Sequence, residues 1–385
     1  MVGNNGGFAI TLGVCLAAMT SLAAAEDGAL MYVGTGQGIY AVRMDPATGA
    51  LAAPALAVES KNANFLALHP SGKFLYACAE LTDAAGAKSG GVASFTLDPA
   101  TGKLAPLNQQ PSGGRGPCYV AVDKTGGNLL VANYGSGSVA CLPIGADGKL
   151  KEPSAVIQHE GGSGVIAKRQ EGPHAHSINL DAANRLAFAA DLGLDKVMVY
   201  AFNPAKGSLT PHAIPFAELP PGGGPRHMAW HPGAKYAYVC NEMGDSVSAF
   251  AYAAEKGRLS PIGVVTTLPE DYDANDANTT AEVVVHASGK FLYCSNRGHD
   301  SIAVFAIGDD GKLTPRGHAS TQGQVPRNFV IDPSGQFLLA ANQRSGSIVV
   351  FRIDPQSGTL TPTGSKVEVA GPTCLRFQLP AAAHP

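Results

Sequence analysis

Charge is scarce in this chain and almost evenly signed. Asp, Glu, Lys and Arg make up 15% of 385 residues and the formal net charge is −3. There is no basic footprint for a nucleic-acid backbone and no polybasic patch for an anionic membrane. A small neutral or anionic ligand stays open as a partner. No CxxC pair occurs among Cys78, Cys118, Cys141, Cys240, Cys294 and Cys374, and several of these sit inside apolar strand patterns, so buried free thiols are expected and a zinc site is not. No GxxxxGK[ST] phosphate loop and no GxSxG nucleophile elbow is present, and Gly222-Gly223-Gly224 precedes a strand pattern and not a helix. The acidic run Glu270 to Asp276 lacks the glycine and terminal glutamate of a calcium loop and reads as a solvated turn.

Long apolar stretches are missing as well, with one exception. Residues 8–25 carry no charge and end in Ser21-Leu22-Ala23-Ala24-Ala25-Glu26, a small-residue pattern that predicts a signal peptide at 1–25 and a mature chain over 26–385. No later segment reaches the ~18 apolar residues of a membrane-spanning helix. The expected location is therefore periplasmic or secreted, or cytoplasmic if the leader is not functional.

What the chain has in abundance is turns: 47 Gly and 27 Pro against 45% hydrophobic residues. This balance suits many short strands better than long helices. The best-formed unit runs from Gly224-Pro225-Arg226-His227-Met228-Ala229-Trp230 through the turn at His231-Pro232 to Tyr236-Ala237-Tyr238-Val239-Cys240-Asn241-Glu242. It recurs. Taking the turn residue as anchor, its equivalents are His69, Asp123, Asp181, His231, His286 and Asp332, spaced from 46 residues (His286 to Asp332) to 58 (Asp123 to Asp181). A third strand starts Ser-Val or Ser-Ile, as at Ser246, Ser301 and Ser347, and each unit is expected to close with Gly-x-Leu, at Gly102, Gly148, Gly207, Gly257, Gly311 and Gly358. Four antiparallel strands per ~50 residues make one blade of a β-propeller. Six complete units plus an N-terminal and a C-terminal part-unit predict an all-β, seven-bladed propeller. The part-units, residues 30–54 and Gly371 to Phe377, share one blade and close the ring.

In a blade, the start of the first strand and the end of the second lie on one rim. The first position, five before each anchor, holds Asn64, Cys118, His176, Arg226, Ala281 and Arg327. The second, eleven after, holds Glu80, Tyr134, Leu192, Glu242, Arg297 and Gln343. A purely structural repeat would keep one bland residue at each copy. Here His176, Arg226, Glu242, Arg297 and Arg327 gather at one channel mouth, with His174, His227 and Glu282 beside them, and that makes the mouth the candidate site. His174 and His176 share strand parity, so both are expected to face the channel. For the anchors His231 and His286, a turn-holding role is expected instead.

The segments Gln170-Glu171-Gly172-Pro173-His174-Ala175-His176-Ser177, Gly224 to Met228 with Asn241-Glu242, Ala281-Glu282 with Ser295-Asn296-Arg297, and Pro326-Arg327-Asn328-Phe329 resemble the 6-phosphogluconolactonase family of seven-bladed propellers, itself similar to the fungal carboxy-cis,cis-muconate cyclase. The resemblance implies a lactone hydrolase without cofactor or metal. It implies a catalytic set of His176, Arg226, Glu242 and Arg297, with Arg327 as an additional substrate contact, and a sugar lactone as the partner; His174, His227 and Glu282 are expected as further substrate contacts from their place beside the rim. Opening a lactone needs an activated water and a stabilised oxyanion. Either His176 or Glu242 can take the proton, and a glutamate held between two arginines favours His176. A muconate-type cyclase using the same groups, and a non-catalytic binding propeller, are the alternatives. The second fits poorly with a single tryptophan, Trp230, because scaffolding propellers repeat a Trp-Asp signature.

If the leader is read correctly, the mature protein recovered from outside the cytoplasm of its host begins near Glu26. N-terminal sequencing checks this, and a cytoplasmic chain that retains residues 8–25 would count against it.

Overall fold

A computed structural model describes Met1 and residues 28–82, 86, 88–273 and 277–378. The expected leader, Cys15 and residues 274–276 of the acidic run lie outside the described residues.

Seven separate four-stranded antiparallel sheets follow one another around a ring. Blade two is built from Leu66–Leu68, Phe74–Thr82, Lys88–Leu97 and Leu104–Pro111, and blade three from Pro117–Val122, Asn128–Asn133, Ser138–Pro143 and Ala155–Gln158. Blades four and five start at Ala175–Leu180 and Pro225–Trp230, blades six and seven at Thr279–Val285 and Pro326–Ile331. Blade one is the shared one. Cys374–Phe377 pairs with Ala29–Gly34 in the register Met31 to Phe377 and Gly34 to Cys374, and Gly38–Met44 and Ala55–Glu59 complete it. The outermost strands differ from expectation in one respect: in blades two and four to seven Gly-x-Leu does not close a unit but leads into its last strand, while in blades one and three that strand comes later, at Ala55–Glu59 and Ala155–Gln158, with Leu51 and Leu150 making only bridges to Met44 and Ile144.

Each blade presents two apolar faces, and the core is the set of layers between neighbouring blades. Period-two alternation along Tyr236–Asn241 sends Val239 into the layer with Phe188 and Val199 of blade four, and Tyr238 and Cys240 into the layer with Leu292 and Phe305 of blade six. This is why second strands read as continuous apolar runs. The six described cysteines are unpaired, five of them buried and Cys118 partly exposed.

Two devices repeat between blades. The anchor histidines do hold turns: Nε2 of His69, His231 and His286 lies 3.0, 3.1 and 2.9 Å from the carbonyl oxygens of Gly126, Gly289 and Gly335 in the next blade. The Gly-x-Leu glycines form the second. Gly311 has φ +78° and sits against the ring of Tyr236, so that an added Cβ would stand 2.4 Å from that ring, while Tyr238 donates to the Gly311 carbonyl at 3.1 Å. Gly148 repeats the contact on Phe74 and Tyr76, and Gly358 on Phe291 and Tyr293.

Gly311→Ala places a Cβ in a left-handed conformation and against an aromatic face of the neighbouring blade. A loss of about 1–3 kcal/mol is expected. It is read as a lower urea midpoint with unchanged slope; a midpoint equal to wild type would show that the blades do not depend on this contact.

Candidate active site

The channel mouth on one rim is a cavity of about 290 Å³ lined by Asn64, Cys118, Tyr134, Arg169, His176, Glu242, Arg297 and Arg327, among others. That is the small end of the ~300–1,000 Å³ range of ligand pockets. A hollow of about 430 Å³ between blades seven and one is larger, but its charged residues, Arg352 and Asp354, are exposed. Buried charge makes the mouth the candidate site.

The inner strands reach the mouth through a repeated irregularity. In blades three to seven the pairing between first and second strand slips at the position five before the anchor: at Cys118, at His176, across Arg226 and His227, across Ala281 and Glu282, and at Arg327. A β-bulge bends the strand and re-aims the extra residue. Consecutive residues Arg226 and His227 can then both be buried in the channel, where a regular strand would turn one of them away.

Glu242 is the centre. Its carboxylate is 6% exposed, and Oε2 lies 2.9 Å from Arg226 Nε, 3.2 Å from Arg297 Nη2 and 3.8 Å from His176 Nε2. The Arg226 contact has the distance of an ion pair without the alignment of a hydrogen bond, because Arg226 Nη1 is held by the Ala281 carbonyl. Oε1 accepts a hydrogen bond from Arg169 Nη2 at 2.7 Å. Burial by itself would raise the Glu242 pKa; Arg297 and Arg226 overcome it and hold the carboxyl well below the usual range. His176 moves the other way. Burial first, then the Arg226 charge, push it well below an ordinary histidine, so its imidazole is neutral at neutral pH. Cys118 Sγ lies 3.7 Å from His176 Nδ1, and burial pushes that thiol up to about 12, so it is a protonated neighbour and no nucleophile.

Arg327 completes the mouth. Among the described residues it makes no side-chain hydrogen bond or ion pair, and burial with the neighbouring Arg226 and Arg297 lowers it to about 10, still cationic at neutral pH. Four guanidiniums thus surround one carboxylate.

The other expected contacts stand back from the cavity. His174 precedes the inner strand of blade four; its ring stacks on Tyr134 at 4.5 Å, with Nδ1 3.0 Å from the Tyr134 carbonyl, so it backs a lining residue. His227 and Glu282 form a deeper layer. His227 Nδ1 is 3.0 Å from Glu282 Oε1, and Asn328 donates to Glu282 Oε2. Burial raises the Glu282 pKa and lowers that of His227. Arg169 was not anticipated, because it lies in the insert between blades three and four; its signal is its place one residue before Gln170, where the segment leading to His174 and His176 begins.

The propeller ring thus carries an ionised carboxylate, a neutral imidazole and preorganised guanidiniums at one mouth. The chain belongs to the family described as Lactonase, 7-bladed beta-propeller, which matches residues 20–377. It is 38% identical over 352 residues to a 6-phosphogluconolactonase of Bacillus subtilis, covering 90% of this chain and 97% of that one. A 6-phosphogluconolactonase of Formosa agariphila is 35% identical over 82% of this chain and 88% of its own length. Among solved structures, the periplasmic gluconolactonase of Pseudomonas aeruginosa superposes with a TM-score of 0.84 at 33% identity, covering 91% of this chain and 98% of that one.

The cluster predicts an asymmetry in stability. Glu242→Gln removes the lone carboxylate from four cations and is expected to cost about 3 kcal/mol or more. Arg327→Gln removes an unpaired cation and is expected to leave stability unchanged or raised. Urea unfolding of the two variants checks this, and equal losses would show that repulsion at the mouth is not felt.

Proposed function

We propose that this lactonase hydrolyses an aldonolactone of the gluconolactone type, and that His176, Arg226, Glu242 and Arg297 carry the reaction. The observation that carries the reading is the meeting, at one small mouth, of a neutral buried imidazole with a carboxylate locked between two guanidiniums. In this reading His176 takes a proton from water, whose oxygen attacks the lactone carbonyl carbon. Arg226 and Arg297 stabilise the oxyanion that forms. The tetrahedral intermediate collapses by breaking the bond to the ring oxygen, which takes the proton back from the imidazolium, and the product is the open hydroxy acid. Glu242 keeps its charge throughout; it fixes the two guanidiniums and helps the imidazole accept a proton. None of these steps calls for a metal ion. Arg327 binds the anionic end of substrate or product, while His174, His227 and Glu282 hold the residues that touch it.

The leader pattern and the likeness to a periplasmic gluconolactonase together support an unphosphorylated lactone met outside the cytoplasm. Sugar phosphates are ordinarily retained inside the cell, so the location and the 6-phosphate disagree.

Acid release from gluconolactone and from 6-phosphogluconolactone, corrected for spontaneous hydrolysis, tests the reading. Turnover is expected to fall about 10²–10⁴-fold in His176→Gln and about 10²–10³-fold in Arg226→Ala. Because the neutral imidazole is the active form and its pKa is depressed, kcat/KM is expected to hold as pH falls through the ordinary histidine value of about 6.5 and to drop only below it. No rate above background with either lactone, or full activity in His176→Gln, would overturn the proposal.

A further inference from the structure

Arg169 belongs to no strand, yet it is held as firmly as one. The next residue, Gln170, is fully buried. Its Nε2 donates to the Leu192 carbonyl at 2.9 Å and to Asp195 Oδ1 at 2.8 Å, and its Oε1 accepts from the Ile166 backbone at 3.0 Å. Asp195 also accepts from the backbone N–H of Gly222 and Gly224 at 2.7 and 2.8 Å, the turn that leads into Arg226. One buried carboxylate thus ties the base of the insert to the start of blade five. The backbone that carries Arg169 is anchored, and only its side chain is free to turn.

That side chain is attached weakly. A single nitrogen, Nη2, makes both of its polar contacts, to Glu242 Oε1 at 2.7 Å and to the Tyr134 hydroxyl at 3.3 Å. The Arg169 side chain is 37% exposed, against 2% for Arg226 and 13% for Arg297. A long side chain partly in water keeps its charge solvated when it lets go of a partner, whereas a fully buried one is left with a stranded charge. Of the three arginines on Glu242, Arg169 alone can leave without stranding its own charge. It holds Oε1, the carboxylate oxygen that Arg226 and Arg297 leave free, and Arg327 lines the same cavity.

We propose that Arg169 is a specificity-determining gate: in the free enzyme it caps Glu242 Oε1, and on binding it turns to an oxyanion of the ligand, uncovering that oxygen for a sugar hydroxyl. The proposal rests on the lactonase reading above. The oxyanion has two sources with one chemistry, a phosphate on the substrate or the carboxylate released by ring opening. A guanidinium recognises either through charge-assisted hydrogen bonds.

The test is steady-state hydrolysis of gluconolactone and 6-phosphogluconolactone by wild type, Arg169→Gln and Arg169→Lys, with product inhibition by gluconate and 6-phosphogluconate. Loss of one charge-assisted contact is expected to weaken the anionic ligand on the order of tenfold in Arg169→Gln, in KM or in the inhibition constant, with kcat within about twofold and partial recovery in Arg169→Lys. Weakening of both products with an unchanged KM for gluconolactone assigns the carboxylate. Weakening confined to the phosphorylated pair assigns the phosphate. A fall in kcat with binding unchanged, or no change at all, overturns the gate. If wild type turns over neither lactone, the reading above fails first, and calorimetric titration of the two aldonates into wild type and Arg169→Gln still decides: equal affinity, or no binding to either protein, rejects the proposal.

Discussion

An ionised carboxylate that is nearly cut off from water must be compensated by cations. At Glu242 the compensation comes from separate parts of the ring: Arg226 of its own blade, Arg297 of blade six and Arg169 from the insert before blade four, with the neutral imidazole of His176 of blade four at slightly longer range. Each cation is costly where it sits, because its neighbours are cations too. The cluster persists because the blades are held rigidly in place. The layers of Phe188 against Val239 and of Tyr238 against Phe305, together with the glycine and histidine contacts between blades, set distances that electrostatic repulsion alone would widen.

The architecture was legible because it depends on local chemistry repeated seven times. The turn at His231, the Ser-Val start at Ser246 and the left-handed glycine at Gly257 each encode a feature within a few residues, and copies at ~50-residue spacing made the period visible. The mouth was legible for a different reason: His176, Arg226 and Glu242 occupy repeat positions where other copies hold Asn64, Ala281 or Leu192, so they stand out as departures. Direction was harder to read. Strand parity alone would turn one of Arg226 and His227 away from the channel, and the bulge across them lets both be buried there. A bulge depends on how two strands meet, and a single strand's alternation carries no trace of it. Arg169 escaped for a related reason. Its reach to Glu242 depends on Gln170 being buried against Leu192 and Asp195, in a hairpin of blade four more than twenty residues further along the chain.

The site and the scaffold therefore make opposite uses of the same repeat. Between blades, positions are kept alike: a glycine under an aromatic ring, a histidine or aspartate at the turn. At the inner rim they differ from copy to copy, because a residue facing the channel lies outside the apolar layers between blades and is not bound to one packing shape. That separation lets three blades supply chemistry while Leu192 and Ala281, at equivalent positions, stay buried and apolar.

A surplus of guanidiniums around one glutamate does not by itself require a phosphorylated substrate. A neutral lactone gains little from them in the ground state, where its carbonyl carries only a partial charge. As water adds, a full negative charge develops on that oxygen, and after ring opening it remains as a carboxylate. Fixed cations in a site that excludes most water interact far more strongly with those later species than with the lactone. In the proposed reaction, the free enzyme's net positive mouth favours the transition state over the substrate, and its repulsion is relieved only as ring opening supplies the missing anion.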